Sequence, residues 1–234
     1  MTLTKPILAL AAAATLALSG CSGDEAPLDG AEPTEVLAEA QKKLEEAGTL
    51  TVELSTDNLP QGVSGIAGAS GEITSAPAFD GSLKVSLAGQ SVDVPVIAVD
   101  GTVWAQLPFS SGWSDVDPAE YGAPDPAGLV VGENGFGSLL SQTEDLEQGE
   151  TVRGGADNDE RLTTYTGDVA GDLVKRIIPS AADTDDFDIE YQVDSEGQLR
   201  VLELTGVFYA DSPEMTYTVD FTAYDDAVKE ISKP

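Results

Sequence analysis

The sequence predicts an α+β domain built on an antiparallel sheet, and three observations carry that expectation. Apolar and polar side chains alternate strictly in several short segments, as where Phe187, Ile189, Tyr191 and Val193 interleave with Asp188, Glu190 and Gln192. Turn signals such as Asp100-Gly101 and Asp194-Ser195-Glu196-Gly197 join neighbouring segments at hairpin spacing. Only two or three stretches carry helical spacing, enough to cover one face of a sheet.

Residues 1–20 read as an export signal. Lys5 lies beside the amino terminus, and residues 7–18 (ILALAAAATLAL) form an apolar run. At about 12 residues that run is too short to span a ~30 Å hydrocarbon core as a helix. Leu18-Ser19-Gly20-Cys21 resembles the bacterial lipobox, where small residues let an extended segment enter a protease site and the thiol accepts lipid. Cys21 is the only cysteine, so no intramolecular disulfide forms. The expectation is a chain cleaved before Cys21 and held on the outer face of the cell membrane by lipid on that residue. The lipobox resemblance implies a diacylglyceryl group, often with a further acyl chain, and two or more chains suffice for stable anchoring. Residues 21–32 then form the lipidated cysteine and a flexible, acidic tether.

Residues 33–234 are expected to fold as one unit. A helix over 33–47 follows from Val36, Leu37, Ala40, Leu44 and Ala47 sharing a face, with Pro33 at its start and Gly48 past its end. Strands follow at 49–56, with Leu50, Val52 and Leu54 alternating, and at 82–88, with Leu83, Val85 and Leu87. Val92, Val94 and Val96 continue the habit, and Pro95 argues for an edge or a bulge. Asp100-Gly101 joins 96–99 to 102–107 as a hairpin, and residues 110–128, rich in Pro, Gly, Asp and Ser, read as loop. Residues 129–146 hold a weakly helical set including Phe136, Leu139, Leu140 and Leu146, opposed by Gly132, Gly135 and Gly137. Short strands are expected at 149–153 and 161–166, a helix at 168–178 closed by Pro179, and a closing meander at 187–193, 199–209 and 215–221.

Composition excludes more than it selects. The chain has 42 Asp and Glu against 11 Lys and Arg, and removing residues 1–20 takes away Lys5, leaving a net charge of about −32. Nucleic acid is excluded as a partner, because binding it rests on neutralising phosphates with Lys and Arg. An anionic membrane surface would also repel the chain, so the anchor must hold it without a basic patch. No histidine occurs, which removes Ser-His-Asp and Cys-His catalysis and His-based zinc sites. No G-x-S-x-G, S-x-x-K, P-loop or G-x-G-x-x-G string is present. Carboxylates are so abundant that a chance pair marks nothing. Residues 183–188 (DTDDFD) read as an acidic loop, since a calcium-binding EF-hand loop wants Asp or Asn where Phe187 stands and Gly where Asp188 stands. No catalysis, metal or cofactor is expected.

A lipobox and tether precede an amphipathic helix and a meander containing Val99-Asp100-Gly101-Thr102-Val103-Trp104. Gly112-Trp113, Val152-Arg153-Gly154, a helix ending Ile177-Ile178-Pro179 and a closing meander around Asp194-Ser195-Glu196-Gly197-Gln198-Leu199 follow. This order of features resembles the actinobacterial LppX_LprAFG lipoprotein family. The resemblance implies a strongly curved antiparallel sheet, a half-barrel with helices on its concave face, similar to the lipoprotein carriers LolA and LolB. It implies an apolar cavity for the acyl chains of a lipid or glycolipid, carriage from the inner membrane toward the outer envelope, and in some cases a membrane transporter as partner.

Candidate lining residues for such a cavity are Val52, Leu54, Val85, Leu87, Val94, Val96, Leu139, Leu140, Leu173 and Ile177. For any one of them ordinary core packing is the favoured explanation, and periodicity does not separate core from cavity wall. The acidity and the glycine-rich residues 62–71 could narrow or alter the pocket. Two other readings stand beside the carrier: an envelope interaction or sensor lipoprotein without lipid cargo, and a hydrolase using carboxylate chemistry.

Overall fold

The computed structural model describes residues 30–87, 89–155 and 158–234, so the export signal, Cys21 and the tether upstream of Gly30 lie outside the described residues. A first helix, α1 (Pro33–Glu46), starts on Pro33 and buries Val36, Leu37, Ala40 and Leu44, as its 3.6-residue spacing requires. Six strands follow: β1 (Thr49–Ser55), β2 (Gly65–Thr74), β3 (Ala78–Leu87), β4 (Gln90–Val99), β5 (Thr102–Ala105) and β6 (Ser114–Val116). The second half contains β7 (Glu144–Gly154), β8 (Glu160–Val169), a short helix α2 (Gly171–Ile177), β9 (Phe187–Asp194), β10 (Leu199–Gly206) and β11 (Met215–Asp225).

All eleven strands form one antiparallel sheet in the order β6-β5-β4-β3-β2-β1-β11-β10-β9-β8-β7. It is two meanders joined where the first strand pairs with the last: Leu54 stands opposite Val219, and Val52 opposite Phe221. The outermost strands, β6 and β7, do not pair with each other, so the sheet stays open as a curved half-barrel with helices on its concave face. Side-chain period 2 carries one apolar face across the ladders inward of β7, which is exposed along nearly its whole length. Leu83 opposes Val94, Val85 opposes Val92, and Val96 opposes Ala105.

Several elements differ from the sequence expectation, each for a local reason. Residues 65–74, assigned no element from sequence, form a full strand. Gly71 pairs with Gly81, and Cβ atoms added there would lie 2.7 and 2.5 Å from the Phe79 ring. Phe79 thus covers the bare glycine pair, supplying the packing their own side chains lack. Pro95 lies in an interior strand with no bulge in its pairing to β3. Its carbonyl accepts from Gln106 N–H at 3.0 Å, so its missing donor faces β5 just where that ladder ends. Residues 136–141 make a 3₁₀ turn rather than a helix, burying Phe136, Leu139 and Leu140. The strand β8 runs on to Val169, which delays the second helix to Gly171. The hairpin at Asp100-Gly101 forms as its sequence dictates, with φ of 55° and 70° at the two central residues.

An apolar cavity beneath a proline-rich flap

The concave face is covered in two ways. Over β7 to β11 and β1, α1 packs against the 136–141 turn, and Val174 and Ile177 of α2 join the same core. Tyr191 is wholly buried there, with its hydroxyl 2.8 Å from Thr143 Oγ1. Burial pushes that phenol well above the usual tyrosine range, as expected where a charged form has no water.

Over β2 to β5 there is no helix. Residues 117–128 cross the face instead, as two 3₁₀ turns at Pro118–Tyr121 and Pro126–Gly128. Each turn is fixed by a carboxylate, Asp117 accepting from Ala119 N–H and Asp125 from Ala127 N–H, both at 3.0 Å. Pro118, Pro124 and Pro126 deny this flap a regular helix, and it does not fill the space beneath it.

The space is a cavity of about 230 Å³. Its sheet wall is Ile66 on β2, Leu83, Val85 and Leu87 on β3, Val94 and Val96 on β4, and Val103, Ala105 and Leu107 on and after β5. Val116 on β6 completes that wall, and Pro118, Tyr121, Ala123, Pro124 and Pro126 form the roof. No charged side chain lines it. Exposure shows where it opens: along β3, Phe79 is buried, Leu83 and Val85 are half-buried, and Leu87 is 45 % exposed. Along β4, Ala98 and Val96 are buried while Val92 is partly exposed. The mouth therefore lies at the end of the strands marked by Leu87 and Gly65, and the floor at Val96 and Val103.

A smaller space of about 60 Å³ adjoins it, sharing Gly65, Ile66, Tyr121, Ala123 and Pro124 and adding Leu54, Phe136, Tyr209 and Tyr217. Tyr217 donates its hydroxyl to the Ile66 carbonyl at 2.6 Å, so the 2.9 Å contact between the two tyrosines has Tyr209 as donor. This chain ties β11 to β2 across the divide between the two halves.

The ten sequence candidates divide between these environments. Val85, Leu87, Val94 and Val96 line the larger cavity, and Leu54 the smaller one. Val52, Leu139 and Leu140 lie in the packed core, Leu173 packs against it, and Ile177 is buried while bordering a polar surface groove. Val103, Ala105 and Leu107 extend the β4 register through the Asp100-Gly101 hairpin, so the alternation already contained them. Ile66 was hidden by its glycine neighbours, and the flap prolines carried no periodic signal at all.

The convex face is acidic. Burial and the opposing Glu190 hold the Glu203 carboxyl above its ordinary range, and burial with Glu53 does the same to Asp220. Burial, then Asp188, Asp145 and Asp186, raise Asp168. Among the described residues no cluster of side chains is arranged to hold a metal ion, and Asp183 in the acidic loop pairs with Lys175 at 2.7 Å.

The architecture is thus an open, curved antiparallel half-barrel with an apolar cavity between one half of the sheet and a flap. Residues 32–229 match the family model of the LppX_LprAFG lipoproteins, and the chain belongs to that family. It is 29% identical over 182 residues to the lipoarabinomannan carrier protein LprG of Mycobacterium tuberculosis (strain ATCC 25618 / H37Rv), covering 74% of this chain and 72% of that protein. LprG of Mycolicibacterium hassiacum is 31% identical over 115 residues, 48% of this chain and 47% of that protein. In fold it is similar to crystal structures of LprF from Mycobacterium bovis (TM-score 0.66, 14% identity, covering 86% of this chain and 96% of LprF). LppX from Mycobacterium tuberculosis is similar as well (TM-score 0.59, 15% identity, covering 84% and 97%).

Proposed function

We propose that this lipoprotein binds acyl chains of a lipid or glycolipid in the cavity under the flap and carries them from the inner membrane toward the outer envelope. It does so without catalysis, anchored through Cys21. The observation that carries this reading is an open cavity lined mainly by aliphatic and proline side chains, with Tyr121 at its roof and no charged group among them. The relatives named as lipoarabinomannan carriers point the same way. Carboxylate hydrolysis finds no support there, because the acidic side chains crowd the convex face and the surface rather than this cavity.

Magnitudes fit an acyl segment. A cavity of about 230 Å³ exceeds the ~150 Å³ that admits benzene into an engineered core, and a dry apolar space of this kind is not held open by water. Each buried methylene is worth about 0.8 kcal/mol, so half of a 16-carbon chain contributes roughly 6 kcal/mol. The rest of a long chain would need the flap to lift, or the adjoining space beside Tyr217 to open. A membrane transporter that loads or unloads the protein fits this role as partner.

The test is lipid extraction and mass spectrometry of the protein purified from a mycobacterial host. Near-stoichiometric lipid of defined mass is expected. Protein free of lipid would favour the interaction or sensor reading instead.

A further inference from the structure

We propose that the cavity mouth is a bilayer-docking surface, with Phe109 as the side chain that enters the lipid. The proposal rests on the acyl-binding reading above and names the partner that the mouth meets. Among the described residues, five large hydrophobic side chains are exposed. Three of them, Leu87, Phe109 and Tyr121, gather at this mouth: Leu87 and Tyr121 line it, and Phe109 follows the lining residue Pro108.

Phe109 is held outward at a conformational cost. Residues 107–110 form a tight turn in which Ser110 N–H and its hydroxyl both donate to the Leu107 carbonyl, at 3.1 and 2.8 Å. Pro108 takes the second position and Phe109 the third, with φ of +68°. A turn of this form calls for glycine or asparagine at its third position. Among the described residues, every other non-glycine residue with positive φ is Asp or Asn, types that tolerate it. A fully exposed aromatic ring in that conformation serves neither local geometry nor packing.

Charge selects a bilayer as the occupant. Three of the four segments that reach the mouth, residues 58–71, 85–92 and 101–114, contain no Asp, Glu, Lys or Arg, in a chain whose net charge is −31. The fourth, the flap that brings Tyr121, carries Glu120 beside it and Asp117 and Asp125, whose carboxylates are engaged in its own turns. Loops at the same end of the other half are acidic, with Asp145, Asp183, Asp185, Asp186 and Asp211. A membrane surface repels acidic segments and accepts neutral ones tipped with aromatic and aliphatic groups. Docking there would let an acyl chain pass between bilayer and cavity without crossing water. The described chain begins at Gly30, near Asp194 and Ser195 at the opposite strand ends.

The experiment is flotation of the mature chain, residues 21–234 with Cys21→Ser, on phosphatidylcholine vesicles with and without phosphatidylglycerol. Wild type is expected to float with neutral vesicles and less with anionic ones. Phe109→Gly should lower the floated fraction at least fivefold while melting at or above the wild-type temperature, since it relieves the positive φ. Val228→Ser, an exposed apolar residue far from the mouth, should float as wild type. Absence of wild-type flotation, unchanged flotation of Phe109→Gly, or an equal loss in Val228→Ser would each overturn the proposal. So would Phe109-dependent self-association without vesicle binding, which would mark a protein interface. Lipid extraction in parallel separates the two readings: bound lipid without flotation sinks docking alone, and flotation without bound lipid sinks the carrier.

Discussion

The two halves of the sheet carry the same alternation and meet different fates. In β8 to β11, Tyr165, Ile189, Tyr191, Leu202, Leu204 and Val219 are buried beneath α1 and the 136–141 turn. In β3 to β5, Leu83, Val85, Leu87 and Val94 face a flap built on prolines and stand around empty space. A one-sided strand pattern thus specifies a face to be covered, and the covering element decides whether that face becomes core or cavity wall. A helix brings a continuous row of side chains that interdigitate. A flap of short turns brings backbone and proline rings that bridge the face without filling it.

The largest expected effect separates the halves by truncation. Phe208 is wholly buried and makes edge-to-face contacts with Phe187 and Tyr217, at ring separations of 5.0 and 4.8 Å. Phe208→Ala should cost about 3–5 kcal/mol in denaturant unfolding, the usual range for an aromatic removed from a core. Val85→Ala, on a wall that already lacks a facing partner, should cost well under half of that. Equal losses at the two sites would erase the distinction.

Enlargement sharpens the same comparison with the sign reversed. Leu140→Trp overpacks a filled site and should destabilise by about 1–3 kcal/mol. Val85→Trp or Val94→Trp fills the cavity, so at least one should melt near wild type while the purified protein carries clearly less lipid. If every variant unfolds or binds as wild type, these strands line no acyl site.

The sequence made most of the architecture legible and left this distinction hidden. The closing meander was readable because Phe187 to Val193 and Met215 to Phe221 alternate without interruption, and Asp100-Gly101 fixed one hairpin by turn chemistry alone. The strand at residues 65–74 was not readable, because Phe79 from the neighbouring strand supplies the bulk that Gly71 and Gly81 lack. Val52, Leu139 and Leu140 looked the same in sequence as Val85 and Val94, since exposure to a cavity depends on residues 117–128, which lie far away in the chain and have no period. The Cys21 reading rests on residues upstream of the described structure and remains a proposal about the chain's anchoring.

The smallest expected effect concerns the convex face. Glu203 opposes Glu190, and Asp220 opposes Glu53, across adjacent strands. Burial and these neighbours raise both Glu203 and Asp220. In the unfolded chain such carboxyls release their protons near pH 4, as model peptides do, about where the folded ones still hold them. The folded state therefore binds more protons in the window just above that pH, and stability should rise as pH falls from about 7 toward 5. Glu203→Gln should stabilise the protein near neutral pH by roughly 0.2–1 kcal/mol and flatten this dependence, as expected for removing one of two opposed like charges. Melting curves at the two pH values check it.

The most direct measurement of the central claim is photocrosslinking with a lipid that carries a diazirine in its acyl chain, followed by peptide mapping. Label is expected on the wall strands, around residues 83–96 and 103–107, with the peptides holding Leu139, Leu140 and Leu202 unlabelled. Label concentrated on the helix-covered half, or none that unlabelled lipid competes away, would contradict the assignment of the flap-covered half as the acyl site.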